Sequence, residues 1–204
     1  TAWAQYLRGD DAAARTSALA MDPDAFSYSA TRYITFRLAR DDAERETALA
    51  ELVAAEPALE DLQAPVTSNF YWRHFFYADM LLRAGQTERG RLEARRIIAA
   101  LPVRPVARWQ AARDVVSAYA FAGEKTQAVA ELRDYVDQGG ACFFPVGIQG
   151  FWDKLTYEIL RDEPGFLDLV AIMNERLAEQ RANLARWEAN GELTPIPDLM
   201  ENTL

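Results

Sequence analysis

The chain has 204 residues, 50% of them hydrophobic and 26% charged, enough to bury a sizeable core as one domain or one short repeat array. Its formal net charge is −9, from 31 acidic and 22 basic residues, and no basic run occurs, which argues against nucleic acid and against an anionic membrane surface as partners. One cysteine, Cys142, and one histidine, His74, exclude an intramolecular disulfide and a zinc site built from several Cys and His, and any Ser-His or Cys-His catalytic pair would have to use His74.

Residues Thr1 to Met21 read as a helical pair or the rest of one, broken at Gly9-Asp10-Asp11, where Asp10 or Asp11 can cap the second helix. Asp22-Pro23 ends it, because the residue before a proline is pushed out of the α region. Asp24 to Pro57 repeats the scheme: Phe26, Tyr33, Ile34 and Leu38 form one helical stripe, Arg40-Asp41-Asp42 the turn, and Ala48, Leu49, Leu52, Val53 and Ala55 the return face. Leu59 to Ser68 is a connector. Phe70 to Pro102 is a helical hairpin turning at Ala84-Gly85-Gln86, with small residues at Ala78 and Gly90 where two helices touch. Val103-Arg104-Pro105 links to a further pair, Trp109 to Ala122 and Lys125 to Gln138, turned by Gly123 and closed by Gly139-Gly140. Gly139 to Gly150 is rich in Gly, Pro and Phe and is expected to be irregular. A short helix over Phe151–Leu160, a turn at Asp162–Gly165 and a long helix over Phe166–Asn190 follow, and the tail 191–204 is expected to be extended or disordered. No convincing alternating strand is present, so the fold class is all-α. No stretch of about 18 apolar residues exists to span a membrane and nothing reads as a signal peptide.

Gly85 and Pro102 lie 17 residues apart, with Ala78 seven before Gly85 and Gly90 five after it. The same offsets give Val116, Gly123 and Ala128 in the next pair, and Tyr33, Arg40, Arg45 and Pro57 in the earlier one. This pattern resembles the tetratricopeptide repeat, whose period is about 34 residues. The resemblance implies an α-solenoid of antiparallel helix pairs, a single domain over 1–190 with units at about 1–23, 24–57, 70–102 and 106–139 and a capping region at 151–190. The segment L-R-D-E-P-G-F-L-D-L, Leu160 to Leu169, looks like the closing turn of bacterial tetratricopeptide regions attached to cyclase-type or winged-helix regulators. The chain opens in what reads as mid-repeat and is rich in Arg and Ala. We therefore expect a piece of a larger regulatory protein from a soluble bacterial setting, cytoplasm or periplasm.

In such arrays the first helix of each pair lines a concave groove. The register then makes Arg37, Trp72, Phe75, Asp79, Arg83, Gln110, Arg113 and Ser117 the partner-binding residues, with Trp72 and Phe75 as aromatic anchors and the arginines facing carboxylates. Tyr71, His74, Tyr77, Ala78 and Leu81 fall at packing positions. Asp79 and Ser117 stand where a Lys/Asn clamp for a peptide C-terminus would need Asn, so that clamp is not expected. No paired carboxylates, G-x-S-x-G, P-loop or H-E-x-x-H pattern points to catalysis, and no cofactor is expected. The sequence thus reads as a module binding a protein or peptide; homo-oligomerisation as a structural spacer is the alternative, and a small-molecule sensor using Gly139–Gly150 is a more distant one.

Overall fold

The computed structural model describes residues 2–22, 28–66, 71–101, 108–140 and 153–192. Pro102 and the Val103–Pro105 linker, Cys142, the stretch from 141 to 152 and the tail from 193 lie outside the described residues. Among those described, all regular structure is helical: α1 (Ala2–Leu7), α2 (Asp11–Leu19), α3 (Tyr28–Arg37), α4 (Asp42–Ala55), a 3-10 turn (Pro57–Leu59), α5 (Tyr71–Arg83), α6 (Thr87–Ala100), α7 (Arg108–Ala122), α8 (Lys125–Asp137), α9 (Asp153–Leu160) and α10 (Phe166–Ala189).

Consecutive helices form hairpins, α1 with α2, α3 with α4, α5 with α6 and α7 with α8. The first helices also touch in succession: α1 on α3, α3 on α5, α5 on α7 and α7 on α9, while α10 lies on α8. Local chemistry sets the turns. After α5 the Gln86 N–H donates to the Leu81 carbonyl at 2.9 Å and the Gly85 N–H to Leu82 at 3.2 Å, with Gly85 at φ +75°, a left-handed conformation that glycine adopts without a Cβ penalty. The same pair of bonds closes α7, through Glu124 to Tyr119 and Gly123 to Ala120. The turn after α3 has no glycine. There the Glu44 carboxylate accepts the Arg40 N–H at 2.9 Å, and Asp41 caps α4 by accepting the Glu44 N–H at 2.8 Å. Asp10 caps α2 in the same way, through the Ala13 N–H.

The core is continuous from Tyr33 and Phe36 through Phe75, Phe76, Met80 and Phe121 to Leu160, Phe166 and Met173. Gly90 lets α6 approach α5: a Cβ there would stand 2.7 Å from Leu82 Cγ and 3.2 Å from the Ala78 carbonyl oxygen. Arginines tie the layers by reaching back to carbonyls of earlier segments. Arg32 Nη2 donates to Ala18 at 2.9 Å, at the end of α2. Arg96 Nη2 donates to Asp61 at 3.0 Å and to Ala64 at 2.7 Å in the connector, and Arg176 Nη1 to Val136 at 2.6 Å and Gly140 at 3.0 Å, at the end of α8. Burying donors and acceptors in pairs removes the penalty each would carry alone.

The last helix is covered only over its first half. Phe166, Leu169 and Met173 are buried, whereas Leu184 and Trp187 are exposed.

Candidate functional site

Three of the residues projected onto the groove meet in one cluster. Asp79, on the middle of α5, is fully buried. One carboxylate oxygen accepts from Arg83 Nε at 2.7 Å, one helical turn on, and the other accepts the Tyr33 phenol of α3 and lies 3.6 Å from Arg37 Nη1. Arg37 also donates to the Tyr33 oxygen at 3.0 Å, and Arg83 Nη2 reaches Glu158 of α9 at 3.3 Å. The Tyr33 ring stacks on Phe76, centroids 4.6 Å apart, which fixes the phenol over α5. Tyr33, Arg37, Asp79 and Arg83 therefore clamp α3 to α5, and Glu158 extends the clamp to α9.

The electrostatics follow from burial against pairing. Burial pushes the Asp79 carboxyl above its ordinary value, with Arg83 and Arg37 pulling it back. Burial and the adjacent Asp79 carboxylate push the Tyr33 phenol well up, so it stays a neutral donor. Burial works against the charge on Arg37, yet Tyr33 and Asp79 hold it protonated. The arginine side chains keep 11% and 24% of their surface, for Arg37 and Arg83, and so present part of each guanidinium at the edge of a cluster whose centre is closed.

Trp72 lies about two turns before Asp79 and is half-buried, set edge-on to Phe76 with centroids 5.3 Å apart and with the Arg73 guanidinium 5.3 Å from its ring. Phe75 is a correction to the groove projection: it is fully buried, edge-on to Phe121 of α7, because the α5–α7 contact closes that side of the helix. Ser117 is likewise inside, accepting from the Thr156 hydroxyl of α9 at 2.9 Å. Asp79 is a structural centre rather than a surface contact. The side chains of Gln110 and Arg113 lie outside the described residues, as does that of Tyr71.

His74 is in the core, as its packing position implied, but it is also partnered. Its Nδ1 meets the buried Glu93 of α6, and the second Glu93 oxygen accepts from Arg96 at 2.6 Å. This second buried cluster fixes α5, α6 and the connector together. Among the described residues no group of three or more His, Cys, Asp or Glu is placed to hold a metal ion, and no helix is long and apolar enough to cross a membrane.

Tyr33 and Glu158 belong to the main cluster and were not among the partner-binding residues projected from the sequence; Tyr33 was read there only as part of an apolar stripe and a repeat offset. Tyr33–Arg37 and Asp79–Arg83 are both i, i+4 pairs, the only local signal available. Comparison with known proteins brings no match: no family model, curated protein or solved structure is significantly similar to this chain.

Proposed function

We propose that the chain is a tetratricopeptide-like α-solenoid acting as a non-catalytic interaction module, holding a peptide or protein partner against the face lined by α3, α5 and α7, within a larger bacterial regulatory protein. The observation that carries the reading is the unbroken succession of first helices, α1 to α9, each touching the next. Such a layer offers one continuous surface to an extended or helical ligand. The half-buried Trp72 is its aromatic anchor, and the exposed edges of Arg37 and Arg83 supply donors for carboxylates. Phe75, Asp79 and Ser117 support this surface from beneath.

The test is to pan a displayed peptide library against the chain and measure the affinity of the enriched peptides. Trp72→Ala is expected to weaken them about tenfold or more, as loss of an interface anchor does. Leu92→Ala, on an exposed position of α6, should leave binding unchanged, with the helical circular dichroism of both variants retained. Failure to enrich any peptide, or equal loss in both variants, refutes the reading.

A further inference from the structure

The last helix carries an apolar seam longer than the surface that covers it. Along α10, Val170, Met173, Leu177, Gln180, Leu184 and Trp187 succeed one another at alternating steps of three and four residues, the spacing that keeps one seam of a helix against another helix. The first half is closed by α8 and by the Arg176 bonds to its last carbonyls. From Ala178 to Glu192 every residue but Asn183 is exposed, with Leu184 at 47% and Trp187 at 40%.

We propose that this uncovered half of α10 pairs antiparallel with the same segment of a second copy of the chain. Charge selects both the occupant and the orientation. With Leu184 of one copy set against Trp187 of the other, the flanking positions bring Arg181 to Glu188 of the second copy, twice by symmetry. The opposite flank is neutral, Asn183 against Asn190. A parallel pair would instead set Arg176 against Arg181 of the second copy, like charge on like. In this register Gln180 falls opposite Gly191, past the end of α10, so the polar position stays outside the apolar contact. The open seam, Gln180 to Trp187, is roughly 10 Å long at 1.5 Å per residue. Its area falls below the ~800 Å² per partner of a stable complex, so the pairing is weak and concentration-dependent. It is independent of the groove: its failure leaves the peptide-binding reading untouched, and the reverse also holds.

Sedimentation velocity on the full chain over a wide concentration range tests it. The weight-average mass should climb toward that of two chains. Trp187→Glu should hold the chain monomeric with its helical signal intact. Arg181→Glu should raise the dissociation constant about tenfold, by turning two attractions into repulsions, and adding Glu188→Arg to it should restore the starting value. A chain monomeric throughout, a dimer indifferent to Trp187→Glu, a tightening by Arg181→Glu, or no rescue by the double exchange overturns the proposal.

Discussion

Asp79→Ala probes the contact that joins α3 to α5. The substitution removes a fully buried carboxylate that accepts from Tyr33 and Arg83 and lies 3.6 Å from Arg37. Breaking one member of a buried ion pair costs about 3–5 kcal/mol, because the remaining charge keeps its desolvation penalty. Two features reduce that figure. Arg83 retains Glu158 at 3.3 Å, and both guanidiniums keep some access to water. One adds to it: the Tyr33 hydroxyl loses its acceptor, a loss of about 1–3 kcal/mol for a buried donor. We expect a net loss of about 3 kcal/mol in urea unfolding, a fall in Tm of roughly 6–12 °C for a chain of this size. A loss below about 1 kcal/mol would refute the view that this cluster clamps the array. The pH dependence supplies a second check. Burial raises the Asp79 carboxyl in the folded state, so the folded chain binds a proton more readily than the unfolded one. Wild-type stability then declines as pH rises from the unfolded value, about 3.9, through the raised folded value, while the Asp79→Asn variant lacks that decline. The stability difference, wild type minus variant, should therefore shrink between pH 4 and neutrality; a difference that widens would mean the two guanidiniums outweigh burial.

Gly90→Ala gains about 1 kcal/mol of helix propensity but forces a Cβ against Leu82 and the Ala78 carbonyl, an overpacking cost of about 1–3 kcal/mol. Urea midpoints should show a net loss, larger for Gly90→Val, and a stabilised Ala variant would contradict the close α5–α6 approach. Glu44 has its carboxyl held below the ordinary range by the Arg40 backbone N–H and the Arg15 guanidinium. Its contribution is present above the unfolded value of about 4.3 and lost as pH falls through the lower folded value. Glu44→Gln should flatten the acid limb of the stability profile, and an unchanged limb would rule out this turn as an acid-sensitive point.

The helices and their turns were legible because their determinants are local. Asp10, Asp41, Gly85 and Gly123 act on residues within one turn of themselves, and the structure puts a helix boundary at each. Which face of α5 is open was not legible. Trp72 and Phe75 are three residues apart on the same helix, yet one is half-buried and the other sealed by Phe121, 46 residues later in the chain. The rotation between successive hairpins decides that, and no short pattern encodes it. Asp79 was placed on the groove by the register that the tetratricopeptide resemblance implies; its partner Tyr33 lies 46 residues earlier, so the pairing that draws it inward leaves no trace in its own neighbourhood. His74 was assigned to the interior correctly from its position in the hairpin, while its link to Glu93 depends on how α6 returns over α5.

The sequence holds 20 arginines and 2 lysines, a bias that codon composition alone would explain. The carbonyl-reaching arginines give it a mechanical consequence. Arg32, Arg96 and Arg176 each close a segment that precedes them, and Arg96 and Arg176 each serve two or more carbonyls, an arrangement suited to a planar fork with several donors. The first hairpin, the connector after α4 and the α7–α8 hairpin are thus each closed by a side chain from a later helix. Cut between units, such a chain would fray backward from the cut, because the segment left behind would lose the side chain that closes it. At these three places closure runs from later residues to earlier ones, so on a nascent chain each of those segments would stay open until the helix carrying its arginine had emerged.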